Sequence, residues 1–216
     1  VVGVHLPYPG LPNPEPGRRS TPQPSPERRL PGFVEYPKPP MTDPYERLYA
    51  DRVVFLGTPL TDDAANDVVA KLLDLDSDGT DLEITLQINS AGGSWTALFA
   101  VVDAMHFVGK TVRTLCMGRA DGPAAVLLAC GAEGRRHMHP LAQIVLRQPS
   151  LADVSTDVQT ELDKVTWQRQ QVERLLADRT GRPADEIRAD LERPKVFSSE
   201  QALEYGLVDR IMMPRH

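Results

Sequence analysis

The chain has 216 residues, with 20 prolines, 15 glycines, 2 cysteines, 2 tryptophans, 5 tyrosines, 5 phenylalanines and a formal net charge of −6. That length implies one domain, at most two, and two cysteines exclude a disulfide-stapled mini-protein. No apolar run approaches the ~18 residues of a membrane-spanning helix, and no charged flank followed by an apolar stretch marks a secretory signal.

The prolines are unevenly spread: 13 of the 20 lie in residues 1–44, in runs such as PYPGLPNPEPG, TPQPSPE and YPKPP. Frequent proline removes amide donors and favours polyproline II or turns, so 1–44 reads as a flexible arm. Tyr8, Phe33 and Tyr36 would help it order on a partner surface. Residues 45–216 carry 19 basic and 26 acidic groups, a charge of −7. An acidic domain without a basic stripe is a poor binder of nucleic acid, because phosphate neutralisation needs clustered Lys and Arg.

From Tyr45 the pattern turns to alternating strands and helices. Val53–Leu56 is a short β-branched run ended by Gly57. Thr61 caps a helix with Asp62 and Asp63 in its first turn and Ala64, Ala65, Val68, Val69, Leu72 and Leu73 at helical spacing. Ile84–Ile88 is a strand, and Ser94–Val108 a helix with Leu98, Val101, Val102 and Met105 inside. Val112–Cys116 is a third strand, Gly122–Cys130 a short apolar helix and Gln143–Leu146 a further strand. Residues 153–179 form a long charged helix with the stripe Leu162, Val165, Val172, Leu175 and Leu176. Pro183 suits the first position of the next helix. Ser198–Gln201 resembles a capping box for a last helix that Gly206 stops. Strands alternating with crossovers of this length predict an α/β fold of right-handed βαβ units.

The most specific local feature is Ile88-Asn89-Ser90-Ala91-Gly92-Gly93-Ser94, between a strand and a helix. A Gly-Gly pair there lets backbone N–H groups approach a carbonyl oxygen or an extended peptide. The plainer alternative is a tight turn without chemistry. Taken in order, YERLYADRVVFLG (45–57), INSAGGS (88–94), CMGRADGPAAVLLACG (116–131), LRQP (146–149) and FSSEQALEYGLVD (197–209) resemble ClpP, the proteolytic subunit of the ATP-dependent Clp protease. The resemblance spans about Pro44 to Met213. It implies the ClpP/crotonase fold of repeated ββα units, seven subunits to a ring, two stacked rings around a chamber, and a cytoplasmic location. It implies no cofactor and no metal.

That family uses a Ser–His–Asp triad, in which a base takes the serine proton and a carboxylate orients the base. The resemblance puts the serine position on Gly122, the histidine position on Arg147 and the aspartate position on Pro194. Glycine has no nucleophile, and arginine stays protonated and cannot act as a base. The family's oxyanion donors fall on Gly92 of the Gly92-Gly93 turn and on the residue after the serine, here Pro123, which has no N–H. Losing one such donor costs about 10²–10³ in rate. The sequence therefore implies a ClpP-like scaffold with no useful peptidase activity. Arg193 matches a family arginine used between rings. The glycine-rich handle of the family corresponds here to Ser150–Asp157, without glycine.

No other residue replaces the triad on this reading. His137 and His139 share one face of a strand, as for a metal, but further ligands are missing. His106 reads as structural. Asp121 adjoins the vacant nucleophile position with nothing nearby to activate it. Ser90 and Ser94 read as caps, Cys116 and Cys130 as buried small hydrophobes in a reducing compartment, and Trp95 and Trp167 as packing or interface residues. The expected partners are an active ClpP paralogue, an AAA+ unfoldase acting through the complex, and polypeptide substrates, with no nucleic acid and no membrane. The alternatives are an active peptidase with a relocated nucleophile, a CoA-thioester enzyme of the crotonase superfamily, and a purely structural homo-oligomer.

Overall fold

A computed structural model describes residues 43–149 and 158–213. The proline-rich arm up to Thr42, with Tyr8, Phe33 and Tyr36, and the segment matching the family handle lie outside the described residues.

Helix α1 (Pro44–Ala50), not foreseen in the sequence, starts where the Asp43 side chain accepts from the Tyr45 N–H, with Pro44 in its first turn. Strand β1 (Val53–Leu56) follows, then α2 (Asp62–Ser77), capped by the Thr61 hydroxyl, which accepts from the Ala64 N–H at 3.2 Å. Helix α2 buries Ala65, Val68, Leu72 and Leu75, whereas Leu73, expected inside, is 42% exposed. Strand β2 (Ile84–Ser90) pairs parallel with β1, from Val53 on Thr85 to Leu56 on Ile88. Helix α3 (Trp95–Phe107) begins at Ser94, whose hydroxyl accepts from the Ala97 N–H at 3.2 Å.

Strand β3 (Val112–Asp121) is longer than the sequence suggested, because the chain passes Met117-Gly118 without breaking the strand. Opposite Ile88–Ser90 it runs from Cys116 to Ala120, so two steps on β2 span four on β3. Gly118 absorbs this bulge at φ +83°, and a Cβ there would lie 2.7 Å from Asn89 Oδ1. The bulge also forks the sheet. Thr114–Cys116 pair with β4 (Arg136–Met138), and Arg119–Asp121 pair with β5 (Gln143–Leu146).

Between them α4 (Pro123–Ala129) is buried along its whole length, which explains its Ala, Val and Leu composition. Next come α5 (Val158–Thr180), burying Val165, Val172 and Leu176 but not Leu162, and α6 (Ala184–Glu192). Pro183 sits at the N-cap of α6, one place before the expected first-turn position. Strand β6 (Lys195–Phe197) pairs antiparallel with β5; the other pairings are parallel. The capping box at Ser198 opens α7 (Ser199–Tyr205), Gly206 ends it at φ +91°, and β7 (Arg210–Ile211) joins β4. Strands as short as β6 and β7 carry too little alternation to be read from sequence.

Candidate functional site

Four elements converge where β3 ends. The turn after β2 brings Gly92 and Gly93. The end of β3 and the start of α4 bring Asp121, Gly122 and Pro123. The end of β5 brings Arg147, and the start of β6 brings Pro194. The Gly122 N–H donates to the Val145 carbonyl at 2.7 Å, which holds this turn against β5. Gly122 adopts φ +51° and ψ −113° at the N-cap of α4, a region that costs a side-chain-bearing residue about 1–3 kcal/mol. Its carbonyl accepts from the Ala125 and Val126 N–H groups at 3.0 and 3.2 Å. Pro123 is buried in the first turn of α4, where a missing N–H costs the helix nothing.

Arg147 fills the space that the glycines leave. A Cβ on Gly122 would stand 2.5 Å from Arg147 Nε, 3.2 Å from its Cγ and 3.4 Å from its Cδ. A Cβ on Gly92 would stand 2.9 Å from Arg147 Nη2 and 2.5 Å from the Asp121 carbonyl oxygen. Nη2 donates to the Ala91 carbonyl at 3.4 Å. The arginine side chain thus lies across both bare Cα positions. The last β5–β6 pair is Leu146 with Lys195, the residues next to Arg147 and Pro194, and beyond it the Gln148 N–H donates to the Leu191 carbonyl at 3.2 Å. The structure therefore brings Gly92, Gly122 and Arg147 into contact, while Pro194 is exposed just before β6. Arg193 is exposed at the C-cap of α6.

The glycine turn differs from expectation in two ways. The Gly92 N–H, expected to face a substrate oxygen, donates to Ser90 Oγ at 3.3 Å. Ser90 is buried and serves the turn itself; the cap of α3 is Ser94 alone. Gly93, at φ +148°, lies against the backbone of Leu60: the Leu60 N–H donates to the Gly92 carbonyl at 2.7 Å and the Ser94 N–H to the Leu60 carbonyl at 2.8 Å. A Cβ on Gly93 would meet the Leu60 carbonyl oxygen at 2.3 Å. Glycine is thus required here by close backbone approach. Leu60 carried no periodic signal, only its place before the Thr61 cap.

The remaining candidates are structural groups or lack activation. Asp121 is buried and its carboxylate pairs with Arg119. Burial, with the charge of Asp121 second, pushes the Cys116 thiol up to about 12, so it stays protonated at neutral pH. Cys130 is also a free, buried thiol. His137 is buried in β4, and His139 lies beyond the strand end with its N–H donating to the Cys116 carbonyl at 3.0 Å. Among the described residues no cluster of three or more His, Cys, Asp or Glu side chains is arranged to hold a metal. His106 is exposed on α3, its Nε2 2.8 Å from Arg179 Nη2 on α5. Trp167 packs edge-on to Phe99 at 5.3 Å between ring centroids and is 52% exposed. Among the described residues no helix is long and apolar enough to cross a membrane.

The C-terminal signature anchors the sheet. Arg136 Nε donates to Asp209 Oδ2 at 3.0 Å, the Arg136 N–H donates to the same oxygen at 2.8 Å, and Nη1 donates to the Arg179 and Gly206 carbonyls at 2.8 and 2.9 Å.

Comparison with known proteins accords with this architecture. The family model described as Clp protease matches residues 38–215. ATP-dependent Clp protease proteolytic subunit 1 of Corynebacterium glutamicum is 41% identical over 187 residues, covering 84% of this chain and 90% of that protein. Proteolytic subunit 2 of Streptomyces coelicolor is 42% identical over 205 residues, covering 92% and 94%. Proteolytic subunit 3 of Frankia casuarinae is 45% identical over 175 residues, covering 80% and 82%. With a family model spanning the fold and relatives covered nearly end to end, the chain belongs to the Clp protease family.

Proposed function

We propose that this chain is a non-catalytic Clp protease subunit, which joins an active paralogue in stacked heptameric rings in the cytoplasm. There it shapes the chamber or biases docking of an AAA+ unfoldase, while polypeptide substrates are cut by the paralogue. The observation that carries the reading is Arg147 lying across Gly122. The place of a nucleophile holds no side chain, the place of a base holds a permanent cation, and the following residue is a proline without an N–H. Loss of triad and oxyanion donor together leaves no term large enough for peptide hydrolysis. Relatives named as proteolytic subunits 2 and 3 of one organism, Frankia casuarinae, support an assembly that draws on more than one kind of chain.

In this reading residues 1–44 are an arm that lies on a partner subunit or in the axial pore, and Arg193 contributes to contacts between rings. Co-expression with an active paralogue tests the proposal. Co-migration on native gels and altered paralogue peptidase activity are expected. Separate migration with unchanged activity would defeat it, as would labelling of this chain by a fluorophosphonate probe. Deleting residues 1–40 should alter assembly or peptide entry.

A further inference from the structure

Arg147 does more than fill a vacancy. Its guanidinium has five N–H donors, and the protein supplies one acceptor among the described residues, the Ala91 carbonyl at 3.4 Å, near the limit of a hydrogen bond. No described carboxylate pairs with it. Asp121, next to Gly122, is held by Arg119; Asp190, one residue before the carbonyl that receives the Gln148 N–H, is held by Lys195 and by the Tyr205 hydroxyl at 2.8 and 2.7 Å. In a domain with a surplus of acidic groups, Arg147 is thus an exposed cation whose described acidic neighbours are already engaged. A planar fork with unfilled donors matches a carboxylate, which accepts two parallel N–H groups.

We propose that the exposed face of Arg147, where it crosses Gly92 and Gly122, binds a peptide carboxylate bidentately. The proposal rests on the non-catalytic reading above, since the guanidinium occupies the ground of the missing chemistry. The carboxylate is either a peptide C-terminus or an Asp or Glu side chain.

Fluorescence anisotropy on the full chain separates these sources with three alanine–leucine hexapeptides labelled at the N-terminus with an uncharged BODIPY dye. One has a free C-terminus, one is amidated, and one is amidated with a single internal glutamate. One acidic peptide should bind at least about tenfold tighter than the neutral one, and which of the two does so assigns the source. Arg147→Gln should abolish the difference. Arg147→Lys, which keeps the charge but not the fork, should retain only part of it. Equal affinity for all three peptides, no binding of any, or a preference that survives Arg147→Gln at unchanged melting temperature would overturn the proposal. Hydrolysis is followed in the same samples by mass spectrometry. Cleavage would sink the non-catalytic reading while leaving the carboxylate preference separately measured, and lack of preference without cleavage would leave that reading standing.

Discussion

Replacing Gly122 with serine restores a hydroxyl where the family resemblance puts a nucleophile, and the structure fixes what else the change does. The backbone at φ +51° and ψ −113° costs a side-chain-bearing residue about 1–3 kcal/mol. The new Cβ would also stand 2.5 Å from Arg147 Nε, well inside the ~3.5 Å of an ordinary contact. Arg147 is exposed and can swing away, so the clash is relieved by giving up the long bond to Ala91 and some packing, about 1 kcal/mol. Gly122→Ser should therefore destabilise by about 2–4 kcal/mol, and about 1 kcal/mol of that should vanish when Arg147 is already alanine. A double-mutant cycle by urea denaturation, at matched protomer concentration, reads this coupling directly. Fluorogenic peptide turnover should remain at background for Gly122→Ser and for Gly122→Ser with Arg147→His, because Pro123 still provides no N–H. Wild-type stability for Gly122→Ser, an equal cost in both backgrounds, or turnover by the single variant would refute the reasoning.

Other expectations follow from groups outside the cleft. Asp209→Asn leaves the buried Arg136 guanidinium without its carboxylate and should cost about 3–5 kcal/mol in thermal or urea unfolding. Burial alone would raise the Asp209 pKa, but the hydrogen bonds from the Arg136 side chain and backbone prevail and hold it below 3.8; its contribution is present above that value and is lost as pH falls through the lowered native value. Burial, with the charge of Arg113 second, lowers the His137 pKa from 6.5, so the unfolded chain binds more protons there. Stability should therefore decline as pH drops below about 6.5 towards the native value, and His137→Gln should flatten that part of the melting-temperature profile. Cys116 and Cys130, both pushed up to about 12 chiefly by burial, should resist iodoacetamide at pH 8 until denaturant is added, as read by intact mass.

The α/β alternation, the caps at Thr61 and Ser94, the capping box at Ser198 and the fully apolar α4 were legible because each is a local pattern: spacing, a capping residue, a glycine stop. The fork of β3 was not. It depends on a two-against-four bulge across two strands far apart in sequence, and Gly118 looks like a terminator until Asn89 is seen against it. The same non-locality hid the site's main contact. The family resemblance implies that position 122 lacks a nucleophile and position 147 lacks a base. It does not show that the second residue occupies the space of the first, or that the Gly92 N–H turns inward to Ser90.

That contact changes the meaning of the substitutions. Had the triad merely decayed, each position could drift on its own, leaving an open cleft of unrelated side chains. Instead, Gly122 removes the strain that a side chain would suffer at a positive φ, and only a glycine there makes room for the Arg147 stem. Pro123 fixes the first turn of a wholly buried helix at a position where its missing N–H has no structural cost. On the proposed non-catalytic reading, both residues favour the folded chain at places where a peptidase would keep a nucleophile and an N–H directed at substrate, as expected when a scaffold is retained without its chemistry. The order of repair follows from the same geometry. Arg147 must swing aside before a side chain at 122 is accommodated, and on the proposed reading Pro123 must be replaced before any hydroxyl placed there can work. Removing Arg147 first should cost about 1 kcal/mol, Gly122→Ser made after it should cost only its backbone strain, and turnover should return only once Pro123 and Pro194 are replaced as well.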